Sequence, residues 1–177
     1  MTHAPFGNLE QQLRDATETP EWKKMIQGIK DSDTIYVIGN GGNMAVASHA
    51  AADITRLTDK PVWCLDSQSL LTSIANDYGY ENVFESALKF YADKGDALIA
   101  ISSSGMSRNI LNAVNFANKN GLYVITFSGF NSKNSLKNLG KINFFVESKS
   151  YNVVEMTHHI WLVSIVDYLA DNRDFEK

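Results

Sequence analysis

Four serines, Ser102, Ser103, Ser104 and Ser107, share six positions with Gly105 and Met106. Hydroxyls at that density can donate several hydrogen bonds toward one anion. They are preceded by the apolar run Ala97 to Ile101, set off by Gly95-Asp96, which predicts a buried strand. They are followed by the helical spacing of Ile110, Leu111, Val114 and Phe116. Strand, polar loop and helix start leave unpaired backbone N–H groups at the same end as the hydroxyls, and a phosphate is the natural guest. Capping of the helix by Ser104 or Ser107 is the plainer use of the same side chains.

Asn40-Gly41-Gly42-Asn43 repeats the arrangement. The β-branched run Asp33 to Gly39 leads into it, and the Ala-rich stretch Met44 to Thr55 leaves it as a predicted helix. A sheet would bring both polar turns to its carboxyl edge, where open α/β folds bind ligands. The spacing matches neither a dinucleotide-binding glycine fingerprint nor a P-loop. His49 and Asp53 stand four apart on the helix leaving the second turn and so share a face. An imidazole and a carboxylate at that spacing suit a metal, or a surface hydrogen-bonded pair.

The strands needed to hold these loops are expected at 33–38, 61–65, 97–102, 122–127 and 142–146, alternating with helical segments. That alternation predicts an α/β three-layer sandwich with a five-stranded parallel sheet. Residues 8–30 read as helix, with apolar Leu9, Leu13, Trp22, Met25, Ile26 and Ile29 and a break at Thr19-Pro20. We divide the chain into an N-terminal helical segment, 1–30, and an α/β domain, 31–177, forming a single domain in all. The helical segment has little sheet left to cover and is expected against a neighbouring subunit. Lys133 to Lys141 reads as a short surface helix and loop.

Composition bounds the rest. A chain of 177 residues, 44% apolar, can bury one proper core. A net charge of −4 offers no basic footprint, so nucleic acid is not expected as a direct ligand. The single cysteine, Cys64, is expected as a buried thiol. With no leader and no membrane-spanning run in the sequence, a soluble cytoplasmic protein without membrane partners is expected.

The order of these pieces resembles the sugar isomerase (SIS) domain family, and within it the phosphoheptose isomerases. The matching residues are Gly39-Asn40-Gly41-Gly42, His49 with Asp53, Asn76-Asp77-Tyr78-Gly79-Tyr80, Gly95-Asp96, Ile101 to Ser107, Val124-Ile125-Thr126 and Glu155. The resemblance implies a flavodoxin-like fold, a homotetramer, a sugar phosphate as small-molecule partner, and isomerisation of sedoheptulose 7-phosphate through an enediolate. It implies that Ser102, Ser103, Ser104 and Ser107 hold the phosphate. Asn40, Gly41, Gly42, Asn43, Asn76, Asp77 and Glu155 would bind the rest of the substrate. Arg56 and Arg108 are candidate counter-charges.

It also implies zinc, on His49, Asp53, Glu155 and His159. Three departures bear on this. Glu155 stands where the family has Gln, a zinc ligand that also touches substrate. Asp53 replaces the family's Glu and is shorter by one methylene, about 1.5 Å. The family's second catalytic residue, a histidine eight positions after Glu155, is Val163 here. His159, one turn earlier on the same helical face, could substitute, whereas His158 points elsewhere. Asp53 or Glu155 is then the expected base and His159 the expected acid; the same four side chains also suit acid–base chemistry without a metal. A non-catalytic SIS module that binds a phosphosugar or a protein, like the initiator-associating factor of bacterial replication, is the alternative.

Overall fold

The computed structural model describes residues 9–170. The expectations for residues 1–8 and 171–177, and for the side chains of Leu9 and Leu13, lie outside the described residues.

Two helices open the chain, α1 (Leu9–Thr17) and α2 (Pro20–Asp31). The break between them is chemical. Pro20 begins α2 where no N–H is needed, and the Thr19 hydroxyl accepts the Trp22 N–H at 3.1 Å. There follow β1 (Ile35–Ile38), α3 (Gly42–Leu57), β2 (Val62–Cys64), α4 (Gln68–Tyr78) and α5 (Val83–Tyr91). The chain ends with β3 (Ala97–Ser102), α6 (Arg108–Lys119), β4 (Tyr123–Gly129), β5 (Ile142–Val146) and α7 (Tyr151–Leu169).

All four strand pairings are parallel, in the order β2-β1-β3-β4-β5. The order reverses between β1 and β3, and that switch point leaves a crevice at the carboxyl ends of those two strands. Strand periodicity builds two cores. Ile35, Val37, Ile99, Ile101, Ile125 and Phe127 face α2, α3 and α7, while Tyr36, Ile38, Leu98, Ala100 and Val124 face α4, α5 and α6. Asp96 ties the two strands at the switch point together at their other ends. Its buried carboxylate accepts the N–H of Thr34 at 2.9 Å and of Asp93 at 2.8 Å.

The structure corrects two expectations about packing. Helix α2 has sheet of its own to cover. Trp22, Met25 and Ile29 are fully buried in the same core as the strands, and Trp22 meets Phe144 and Tyr168 edge-on at 5.6 and 5.5 Å. The segment 133–141 is not merely surface either. It holds one turn of 3-10 helix, Leu136–Asn138, with Leu136 and Asn134 buried beneath the serine loop. Cys64 is half-buried, with its thiol 3.5 Å from the Met44 sulfur, and burial pushes its pKa up to about 12. Among the described residues no helix is long and apolar enough to cross a membrane.

His158 lies on the inner face of α7, wholly buried between the rings of Phe127 and Trp161. Its Nε2 sits 3.2 Å from the Ser128 carbonyl, which places the proton on that nitrogen, while Nδ1 has no partner. Burial lowers its pKa from 6.5 to about 4. The unfolded chain therefore binds a proton that the folded chain refuses between those values, and stability falls as pH drops from 6.5 toward 4. His158→Phe keeps a ring in the space and removes the titration. The loss in urea midpoint between pH 7 and pH 5 should be smaller in this variant than in the wild type, and an equal loss would contradict the assignment.

Candidate active site

A cleft of about 310 Å³ opens at the carboxyl ends of β1 and β3. Its walls are Asn40 to Asn43 after β1, Ile101 to Ser104 and Ser107 after β3, and Tyr151 and Glu155 from α7. Larger hollows of about 390, 440 and 560 Å³ lie between α1 and β5, beside β2 and beside Phe130 and Phe145, but none of the three contains the two polar loops. The chemistry gathers in the smaller one.

The serine loop is shaped for an anion. Gly105 takes φ +64°, its N–H donating to the Ser102 carbonyl at 3.0 Å and lying 3.1 Å from the Ser102 hydroxyl. Ser104 accepts the Met106 N–H at 3.2 Å, so it stabilises the turn and does not cap the helix. Ser107 occupies the N-cap position of α6 without making a side-chain cap bond, which leaves its hydroxyl turned to Ser102 at 3.4 Å. Helix α3 likewise begins at Gly41, φ +56°, with no side-chain cap. Two uncapped helix N-termini thus meet at one cleft and favour negative charge there. Among the described residues no arginine or lysine lines it: Arg56 is exposed and bonds to Asp53 at 3.3 Å, and Arg108 is exposed on α6.

Facing the serines is Glu155. Its carboxylate rests against the backbone of Gly42, where an added Cβ would lie 2.2 Å from Oε2 and push the carboxylate aside. The Asn43 amide N–H donates to the Ser103 hydroxyl at 3.0 Å and reaches Glu155 Oε1 at 3.5 Å, while the buried Asn43 Oδ1 has no partner. Burial raises the Glu155 pKa above that of an ordinary carboxylate. Among the described residues no cation lines the cleft beside it.

The expected residues divide into three groups. Asn40, Gly41, Gly42, Asn43, Ser102, Ser103, Ser104, Ser107 and Glu155 come together in the cleft. Asn76 and Asp77 do not line it; they are exposed at the end of α4 and bond to each other at 2.9 Å. His49, Asp53 and His159 form a row of their own where α3 and α7 cross. His49 Nδ1 lies 2.6 Å from His159 Nε2, and His49 Nε2 lies 3.0 Å from Asp53.

Burial, followed by the adjacent His49, lowers the His159 pKa, against an opposing pull from Asp53. This row begins about 9 Å along α3 from Asn43, at 1.5 Å per residue. His49 stands between its neighbours with both nitrogens engaged. Among the described residues no three His, Cys, Asp or Glu side chains group as a metal cage would require. Of the four side chains expected to share a zinc, three stand in this row and the fourth, Glu155, lies in the cleft.

Two residues escaped the sequence reading. Asn109, buried at the start of α6, exchanges amide bonds with Asn40 at 2.8 and 2.9 Å and so clasps the two loops; the Tyr80 hydroxyl donates to Asn40 Oδ1 at 2.9 Å. Asn40 is thereby committed to holding the loops together. Tyr151 lines the cleft four residues before Glu155, a spacing that puts both on one helical face and could have pointed to it.

Known proteins match this arrangement. The model of the SIS domain family matches residues 10–129, which include both polar loops. Phosphoheptose isomerase from Thermodesulfovibrio yellowstonii is 34% identical over 158 residues, covering 85% of this chain and 77% of that protein. The phosphoheptose isomerase of Aliarcobacter butzleri is 34% identical over 157 residues, covering 85% and 82%. The structure of phosphoheptose isomerase GmhA from Neisseria gonorrhoeae superposes with a TM-score of 0.81 at 27% identity, over 93% of this chain and 92% of that one. A phosphoheptose isomerase from Francisella tularensis shares the fold, with a TM-score of 0.83 at 22% identity over 93% and 91%. Sequence and fold agree that the chain belongs to the SIS domain family and, within it, to the phosphoheptose isomerases.

Proposed function

We propose that this phosphosugar isomerase interconverts sedoheptulose 7-phosphate and the corresponding aldose 7-phosphate through an enediolate. The observation that carries the reading is Glu155, a carboxylate whose pKa is raised by burial, facing an anion-binding loop across a small cleft. With the phosphate on Ser102, Ser103, Ser104 and Ser107, the other end of the sugar reaches Glu155. Fixing one end in this way supplies orientation.

Glu155 removes a proton from C1 of the ketose. The electron pair forms the C1–C2 double bond as the C2 carbonyl becomes an enediolate oxygen, stabilised in this reading by the Asn43 amide N–H, which lies beside the Glu155 carboxylate. The proton then returns to C2 while the hydroxyl proton passes from O1 to O2, so the conversion consumes no oxidant or reductant. Asp53 is committed to His49 and Arg56 outside the cleft, which leaves Glu155 as the base. His159 does not line the cleft, and in this reading Glu155 itself returns the proton.

A coupled assay with sedoheptulose 7-phosphate tests this, on the wild type and on His159→Ala, with and without added zinc. Turnover is expected in both proteins. Loss of turnover in the variant would move the acid to His159. A rate that rises with zinc would mean that the row of His49, Asp53 and His159 rearranges around the metal. No turnover under any of these conditions, with the sugar phosphate still bound, would sink the heptose reading. A homotetramer belongs to the same reading: Trp63, Tyr78, Phe90 and Tyr91 are exposed and give this chain apolar surface for a second copy to cover.

A further inference from the structure

Among the described residues that line the cleft, one is aromatic. Tyr151 opens α7 one turn before Glu155, so both side chains reach the cleft, with the phenol about 6 Å nearer the helix start. It is 62% exposed, and its hydroxyl makes no hydrogen bond within the described residues. A large amphipathic side chain left open at the mouth of a polar cleft has both a ring face and a donor to offer an incoming ligand.

Its placement is built. The Phe130 ring meets the Tyr151 ring edge-on, with centroids 4.7 Å apart and planes at 89°. Phe130 is the one non-glycine residue with positive φ among the described residues, at +59°. That conformation is a genuine outlier for a bulky side chain and persists only where the surroundings impose it. Here they do. The Phe130 N–H donates to the Ser148 carbonyl at 3.1 Å, and the Ser148 hydroxyl accepts the Ser150 N–H at 3.1 Å, locking the turn after β4 onto the start of α7. The strained residue is thus the one that braces the exposed phenol.

We infer that Tyr151 is a specificity residue, contacting the polyol chain of the sugar phosphate between its phosphate and its reacting end, and that Phe130 is the positioning residue that holds it there. The inference rests on the phosphosugar reading of the cleft. The phenol hydroxyl hydrogen-bonds a sugar hydroxyl while the ring covers the carbon chain. Inorganic phosphate, seated on the serine loop alone, does not reach it.

Titration calorimetry with inorganic phosphate and with sedoheptulose 7-phosphate, on the wild type, Tyr151→Phe, Tyr151→Ala and Phe130→Gly, decides the matter. All four proteins should bind inorganic phosphate equally. For the sugar phosphate, Tyr151→Phe should weaken binding roughly 3- to 10-fold, as expected for one hydrogen bond, and Tyr151→Ala more. Phe130→Gly relieves the backbone strain but removes a ring packed against the core, so it is compared while folded: inorganic phosphate binding should match the wild type while sugar-phosphate binding weakens, a split that a merely structural residue would not give. Equal sugar-phosphate affinity in the wild type and both Tyr151 variants overturns the inference. Turnover measured in parallel keeps the two ideas apart: an inactive wild type contradicts the isomerase reading, while the binding comparison still decides the role of Tyr151.

Discussion

Glu155→Gln should lower kcat by about a thousandfold, within the usual range for loss of a general base, and leave KM within a fewfold of the wild type. The reason is geometric. The glutamine keeps the shape that fills the space against Gly42 and can still meet the Asn43 amide, so the cleft stays formed and the phosphate end still binds. What is lost is the lone pair that takes the C1 proton. The pH profile of the wild type supplies a second reading of the same group. The base must be ionised to act, so kcat/KM falls as pH drops through a value above the ordinary carboxylate range, because burial raises the Glu155 pKa.

Stability moves the other way. A buried carboxyl with a raised pKa contributes stability in its neutral form, and this is lost as pH rises through that pKa. The glutamine variant should therefore be at least as stable as the wild type at pH 7. A variant that loses activity and also unfolds early would mean that Glu155 supports the fold and does not carry the chemistry.

Gly105→Ala should raise KM for the sugar phosphate by roughly a hundredfold and destabilise the protein by about 2–4 kcal/mol, combining left-handed strain with overpacking. At φ +64° a side chain is strained whatever the space, and here there is none: the added Cβ would lie 2.1 Å from Asn134 Oδ1 and 2.3 Å from its Cγ. Asn134 cannot swing aside cheaply. It is buried, its amide N–H groups donate to the carbonyls of Gly129 at 3.3 Å and Asn131 at 2.8 Å, and its Oδ1 accepts the Lys137 N–H at 2.9 Å. The Gly105 carbonyl in turn accepts the Leu136 N–H at 3.0 Å. The serine loop must shift, and with it the hydroxyls that seat the phosphate. Steady-state kinetics and a urea titration check both effects. A normal KM in a destabilised variant would place the phosphate somewhere other than this loop.

Local sequence pattern carried much of this architecture. Strand β3 forms at 97–102 as expected, because an apolar run bounded by Gly95-Asp96 and by serines has little else to be. Strand β4 runs on to Gly129, beyond its apolar run, because Gly129 pairs with Val146 of β5, a neighbour that local pattern does not reveal. That helix α2 packs on its own sheet was hidden for the same kind of reason. The surfaces that bury Trp22 come from Phe144 and Tyr168, more than a hundred residues away.

The site divides along the same line. Both polar loops were legible, since strand, small polar turn and helix follow one another in sequence. Helical spacing showed that His49 and Asp53 share one face, and Glu155 and His159 another. Whether those faces meet depends on how α3 and α7 cross. The crossing brings His49 to His159 and Gly42 to Glu155, which separates the histidine row from the cleft. Tyr151 and Asn109 were missed because each gains its role through a distant contact, with Phe130 and with Asn40.

The decisive measurement is proton NMR of sedoheptulose 7-phosphate incubated with the purified protein in deuterium oxide. Proton transfer through an enediolate on Glu155 predicts aldose 7-phosphate, with deuterium at C2 in the fraction whose proton exchanges with solvent on Glu155 before it returns, and neither product with the Glu155→Gln variant. A sugar phosphate that binds the wild type while its C1 protons stay unexchanged and no aldose forms would contradict it.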